Sequence, residues 1–176
     1  MPIDETVAAG CDYLADLCIA WEKEARRAEE LGIRVVRLRF GMVLGRDGGA
    51  LPKMALPFRL FIGGPIMPGT QWVSWIHQSD AVGLIRWMLD NSHVAGAVNA
   101  AAPEPVTMRQ FCRTLAKVLH RPCWFPVPEP ALRLGLGELG AVMTTGQRVV
   151  PQVALQGGYT FQHPSLEAAL RAIFAG

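Results

Sequence analysis

Apolar residues recur with helical spacing almost from the start of the chain. Between Asp12 and Leu31 they fall at Leu14, Leu17, Cys18, Trp21, Ala25, Ala28 and Leu31, which predicts a helix with one buried stripe. The opposite face carries Glu22, Lys23, Glu24, Arg26, Arg27, Glu29 and Glu30, with Glu22 and Arg26 spaced for an i, i+4 ion pair. Gly32 stands where a left-handed residue would end that helix. Val35 to Leu38 is then short, β-branched and apolar, and the strand it predicts, running on to Arg39, reads as parallel and buried on both faces. A helix feeding such a strand is the second part of a βαβ unit, and residues 1–10 read as loop rather than as its first strand.

The pattern continues in this manner. Ala50 to Ile62 predicts a helix bent near Pro57, and Gly63 to Thr70 a Gly/Pro loop. Gln71 to His77 alternates in part and reads as one short strand, after which Ser79 or Asp80 caps a helix striped by Ala81, Leu84, Ile85 and Met88. Ala97 to Ala100 is a further strand. Thr107 and Gln110 make a capping box ahead of the stripe Met108, Phe111, Cys112, Leu115, Val118 and Leu119. Cys123 to Val127 is extended, 130–147 is helical in character between glycines, 151–156 adds a turn of helix and Tyr159 to Phe161 a short strand. Ser165 caps a last helix that buries Leu166, Ala169, Leu170 and Ile173. Strands alternating with helices define an α/β fold.

Composition narrows the function. Of 176 residues, 51% are hydrophobic and 18% charged, which excludes disorder and suits a packed core. A formal charge of +2 with scattered Lys and Arg excludes a nucleic-acid footprint. The apolar run from Met54 to Met67 is interrupted by Pro57, Arg59, Gly63, Gly64 and Pro65 and falls short of a membrane span. The start has no signal-peptide core. The 4 cysteines, Cys11, Cys18, Cys112 and Cys123, form no Cys-x-x-Cys pair and have no histidine at zinc-ligand spacing, so they predict buried, reduced thiols in a cytoplasmic protein and no metal site.

Two clusters carry candidate chemistry. Gly45, Gly48 and Gly49 follow a strand at its carboxyl end, where α/β sheets place ligands, and could cradle a phosphate; a plain strand-to-helix turn explains the same glycines. Gln71, Trp72, Trp75, His77 and Asp80 offer flat apolar walls and a few polar groups, as a sugar or nicotinamide pocket would. They also fit two core tryptophans, a satisfied histidine and a capping aspartate. No Gly-x-Ser-x-Gly elbow, P-loop or His-Glu-x-x-His is present.

Several motifs together resemble one family. These are Trp21-Glu22, Arg39-Phe-Gly-Met-Val-Leu-Gly45, Gly48-Gly-Ala-Leu51, Pro57-Phe-Arg-Leu60, Gly63-Gly-Pro-Ile66 and Ser74-Trp-Ile-His77, with Asn99, Ala102-Pro103, Gln147-Arg-Val-Val-Pro151 and Gly158-Tyr-Thr-Phe161. The chain is similar over nearly its whole length to the sugar-nucleotide epimerase-like group of atypical extended short-chain dehydrogenases/reductases, whose members end in a small domain of unknown function. The resemblance implies the C-terminal portion of an NAD(P)-binding Rossmann-like sheet over residues 1–100, with a substrate-loop insertion at about 46–75. A small mixed α+β substrate-side domain would follow over 101–176.

It implies NADP(H) or NAD(H) as cofactor, held only together with an N-terminal half whose Gly-x-x-Gly-x-x-Gly turn has no counterpart here. Arg39, Phe40, Gly41 and Val43 would border the nicotinamide side. Arg59, Gln71, Trp75 and His77 would line the cleft for a small-molecule, nucleotide-linked substrate. Partners would be a separately encoded N-terminal half or further copies of the chain, with no nucleic acid and no membrane. The Tyr-x-x-x-Lys pair of extended members would fall near Leu14 and Cys18 and is absent, as the atypical group also tends to lack it, so the resemblance names no catalytic acid.

Overall fold

A computed structural model describes residues 2–127 and 146–175. The expected helical stretch at 130–147 lies outside the described residues except for its last two positions. In chain order the elements are α1 (Tyr13–Arg26) with a 3₁₀ turn (Arg27–Leu31), β1 (Val36–Phe40), β2 (Met42–Leu44), α2 (Ala50–Arg59), β3 (Trp72–Val73) and β4 (Trp75–His77). Then come α3 (Gln78–Asp90), β5 (Gly96–Ala100), β6 (Val106–Thr107), α4 (Met108–Leu119), α5 (Gln152–Gln156) and α6 (Leu166–Phe174).

The run from Val36 to Leu44 is one extended stretch that changes partner at Gly41. Its first half pairs in parallel with β5, in register from Val36 opposite Gly96 to Phe40 opposite Ala100. Its second half pairs in parallel with β4, Met42 opposite Trp75 and Leu44 opposite His77. The crossing is tight: the Gly41 N–H donates to the Ala100 carbonyl, and a Cβ at Gly41 would sit 2.6 Å from the Ser74 carbonyl oxygen. The predicted single strand 71–77 breaks at Ser74 for the same reason, since Trp72–Val73 turns to pair antiparallel with β6. Here the Ser74 hydroxyl donates to the Gln147 carbonyl at 2.7 Å and accepts from Val149 N–H at 2.8 Å.

Apolar packing lies on two sides of this frame. Leu44, Trp75, α2 (Leu51, Met54, Phe58), α4 (Phe111, Leu115) and α6 (Leu170, Ile173) form one core. Ile76, Val98 and Ala100 of the sheet close a second against Leu84 and Met88 of α3 and Ala154 of α5. The Thr107–Gln110 capping box forms as the sequence predicts, and α2 accommodates Pro57 within the helix. The cap of α3 is His77 rather than Ser79 or Asp80, its Nδ1 accepting the Ser79 N–H at 3.1 Å. Ser165 occupies the N-cap of α6 without a side-chain hydrogen bond.

Four expectations are corrected. No residue of α1 is buried, and Trp21 on its apolar stripe is 71% exposed. The stripe exists, but the described residues provide nothing to cover it. For the same reason β1 is only half-buried and has β5 as its single neighbour among the described residues. Cys11 and Cys18, which flank and join α1, are exposed, while Cys112 in the core is buried and Cys123 half-buried; burial pushes the Cys112 thiol up to about 12. Tyr159 to Phe161 forms no strand. Those residues lie against α3 instead, where the Tyr159 hydroxyl donates to the Asp80 carbonyl.

Candidate functional site

The carboxyl ends of β1 and β5 lie side by side, with Arg39 opposite Asn99 and Phe40 opposite Ala100. Alternation along β1 puts Arg37 and Arg39 on one face, and both reach Glu22 of α1. Arg39 binds it in a two-pronged geometry, Nε to Oε1 at 2.6 Å and Nη2 to Oε2 at 2.9 Å, and Arg37 Nη1 adds a bond to Oε2 at 2.9 Å. The Arg39 hydrogen bond holds the Glu22 carboxyl below its usual range, against a burial effect that raises it, and the same bond raises Arg39. This ion cluster fastens α1 to the sheet, which gives Glu22 a physical function that its sequence pattern alone did not disclose. Beyond Arg39, the Phe40 ring is 52% exposed.

Glu5 adds a second carboxylate to this end of the sheet. Its Oε1 accepts the Asn99 N–H at 2.9 Å, on the edge of β5 that faces away from β1. Asn99 in turn donates from Nδ2 to the Val150 carbonyl at 3.0 Å, so the chain's first and last segments meet here. Sequence periodicity could not find Glu5, which stands in an unpatterned stretch.

The other predicted residues separate into different environments. Trp75 is fully buried, its indole N–H donating to the Glu104 carbonyl at 3.0 Å, so it packs the core rather than walling an open cleft. Gln71 is buried, with Nε2 donating to the Ile66 carbonyl at 3.3 Å. Arg59 is exposed at the end of α2, its guanidinium 5.8 Å from the Phe174 ring centroid. His77 is half-buried on the rim of an open depression shared with Gln78, Ser79 and Val82. Its ring lies tilted against that of His163 with centroids 4.0 Å apart, and burial, then the neighbouring His163, lowers its pKa below 6.5. Gly41 and Val43 are half-buried within the β1–β2 run. In the Gly45–Gly49 turn, Gly49 adopts a φ of +76° at the start of α2, so backbone conformation accounts for that glycine.

Asp80, offered by the sequence as a cap or as a polar group of the pocket, is fully buried and does more. Its two carboxylate oxygens accept the backbone N–H groups of Gln162 at 2.7 Å and His163 at 2.9 Å, and its carbonyl accepts the Tyr159 hydroxyl at 3.0 Å. Burial and the adjacent Asp80 raise the Tyr159 phenol to about 12, and its hydroxyl bond fastens this segment to α3. Among the described residues no group of three or more His, Cys, Asp or Glu side chains could hold a metal, and no helix is long and apolar enough to cross a membrane.

A parallel sheet with helices against it and polar side chains gathered at the strands' carboxyl ends defines the Rossmann-like class. The comparisons agree on the family. The chain is 43% identical over 172 residues to the epimerase family protein YfhF of Bacillus subtilis, covering 98% of this chain and 56% of the relative. It is 45% identical to the chloroplastic SDR39U1 homolog of Arabidopsis thaliana, covering 97% of this chain and 49% of the relative. The structure of the human epimerase family protein SDR39U1, crystallised with NADPH, superposes with a TM-score of 0.89 at 38% identity over 98% of this chain and 59% of that one. Residues 127–173 match a domain of unknown function, DUF1731. The chain belongs to this family of atypical, epimerase-like short-chain dehydrogenases/reductases, and it spans about half the length of the curated relatives it matches.

Proposed function

We propose that this chain is the C-terminal part of an NAD(P)(H)-dependent epimerase-, dehydratase- or reductase-type protein acting on a small, nucleotide-linked substrate. The observation that carries the reading is its match, over 98% of its length, to a human relative crystallised with NADPH. In this reading Arg39, Phe40, Gly41 and Val43, at and beyond the carboxyl end of β1, border the nicotinamide. The 52% exposed Phe40 ring is the surface there that a flat apolar ligand can cover. Arg59, Gln71, Trp75 and His77 belong to the substrate side, with Gln71 and Trp75 acting from within the core and Arg59 and His77 at the surface. No Gly-x-x-Gly-x-x-Gly turn occurs in the sequence, so the residues present fit the nicotinamide end of a dinucleotide and not its pyrophosphate. Calorimetric titration of NADPH into the chain alone, and into the chain combined with the unmatched remainder of the Bacillus relative, tests this. Binding only by the combination is the expected result. Tight binding by the chain alone would disprove dependence on a second half, and no binding in either would disprove the reading.

A second reading is a non-catalytic NADP(H) sensor. It rests on α1, which presents Leu14 and Cys18 where a Tyr-x-x-x-Lys pair would stand, and on the fastening role of Tyr159, leaving no tyrosine but the exposed Tyr13. Transfer of label from isotopically labelled NADPH into any carbonyl substrate by the combined protein would eliminate it.

A further inference from the structure

The net charge of +2 conceals a segregation. Residues 48–79 and 105–127 carry 6 lysines and arginines and not one Asp or Glu, which leaves 11 Lys and Arg against 15 Asp and Glu for the rest of the chain. The fold brings these two acid-free segments together. At the end of α2 the chain turns through Phe61, Ile62 and Gly63, and the Gly63 carbonyl accepts the N–H groups of Trp124 at 3.1 Å and Phe125 at 3.4 Å. Arg121 lies over the Phe61 ring, 4.5 Å from its centroid. Around this junction Leu56, Leu60, Phe61, Ile62, Trp124 and Phe125 are each more than half exposed. Leu56 and Leu60 stand one turn apart on the face of α2 opposite the buried Leu51, Met54 and Phe58. So many large apolar side chains on one surface mark an interaction site rather than the scattered exposures of an ordinary monomer. Phe61 sharpens the point: its φ of +63°, directly after the cap of α2, is a conformation that favours glycine, yet a phenylalanine stands there in the open.

We infer that this surface seats in the headgroup region of an anionic lipid bilayer. Leu, Phe and Trp beside Lys and Arg, with no carboxylate among them, is the composition of a protein face that lies in that interface. Of the 6 cations only Lys117 meets a carboxylate among the described residues, Glu167 at 2.8 Å. Lys53, one turn ahead of Leu56, and Arg121 against Phe61 are therefore left for anionic headgroups. Two other occupants fit less well. A second copy of the chain would bring two cationic, acid-free faces together. A nucleic acid is held by phosphate contacts and aromatic stacking, to which exposed Leu56, Leu60 and Ile62 add nothing. Side chains that enter only the interface need no spanning helix, and the described residues contain none. The surface shares no element with the cluster of Glu22, Arg37 and Arg39, so the inference stands apart from the cofactor reading.

The test is co-sedimentation of the 176-residue chain with vesicles of phosphatidylcholine, alone or with about 30% phosphatidylserine. The expected result is at least about tenfold stronger partition onto the anionic vesicles, most of it lost in about 0.5 M salt. Phe61→Gly should weaken partition about tenfold while the melting temperature holds or rises, because glycine accepts that backbone conformation and the lost ring packs no core. Leu60→Glu, also at an exposed position, should weaken it further. Leu17→Glu on the exposed stripe of α1 should leave it unchanged. No partition, or equal partition onto both kinds of vesicle, would overturn the inference. So would loss of partition in Leu17→Glu with Phe61→Gly and Leu60→Glu unaffected, since the lipid contact would then belong to α1. Binding to polyglutamate without partition onto vesicles would overturn it in favour of an acidic protein partner. A dimer dispersed by Leu60→Glu, again without partition, would overturn it in favour of a second copy.

Discussion

α1 and α4 are both amphipathic, of 14 and 12 residues, and this chain buries only one of them. α4 sinks Met108, Phe111, Cys112, Leu115 and Ala116 against α2 and α6, so its stability comes from area removed from water. α1 buries nothing and is fastened by one carboxylate held between Arg37 and Arg39. The difference teaches that periodicity reports which face of a helix is meant to be covered. It says nothing about which polypeptide supplies the cover.

Truncation should separate the two helices most sharply. Phe111→Ala is expected to cost about 3–5 kcal/mol in urea unfolding, as a large cavity in a packed core does. Trp21→Ala in the same chain should change stability by less than about 0.5 kcal/mol, the range for surface positions. A comparable loss for Trp21→Ala would break the comparison. Next in size, Asp80→Ala removes the acceptor of two part-buried N–H groups and should cost about 1–3 kcal/mol, read as a lowered melting temperature.

Acid should act on the buried region through His77. Its pKa is lowered in the folded protein, so the unfolded chain binds the proton more tightly and stability falls as pH drops through and below 6.5. Melting curves between pH 7.5 and 5 should show that slope, and His77→Gln should flatten it. The smallest effect belongs to α1: Glu22→Gln should cost about 1 kcal/mol at low salt and less in concentrated salt, since the cluster is partly open to solvent. A salt-independent loss larger than that of Asp80→Ala would show that α1 is a core element after all.

Much of the fold was legible because it depends on local rules. The Thr107–Gln110 box, the stripe of α4 and the strand at 96–100 each follow from neighbours within a turn or two. The break at Ser74 was not legible, because it depends on Gly41, Gln147 and Val149, distant in sequence and adjacent in space. The exposure of Cys11 and Cys18 follows from the uncovered α1, which composition cannot reveal. Of the candidate site, the motif around Arg39 was readable, but its union with Glu22 required the helix to be seen lying against the strand. Trp75 and His77 share a strand face on paper and part in the fold, where one fills the core and the other meets His163.

The clamp beneath α3 has a consequence for how such sequences diverge. A Cβ added at Gly83 would stand 2.6 Å from the Tyr159 hydroxyl, the group that donates to the Asp80 carbonyl one turn earlier. Positions 83 and 159 are thus not free to drift independently. Lineages that acquire alanine or serine at 83 should carry phenylalanine at 159, while Asp80, whose carboxylate serves two main-chain amides rather than the phenol, should persist through the exchange. The order of substitution is also constrained, because losing the hydroxyl first leaves a tolerable gap, whereas gaining the methyl first creates a collision.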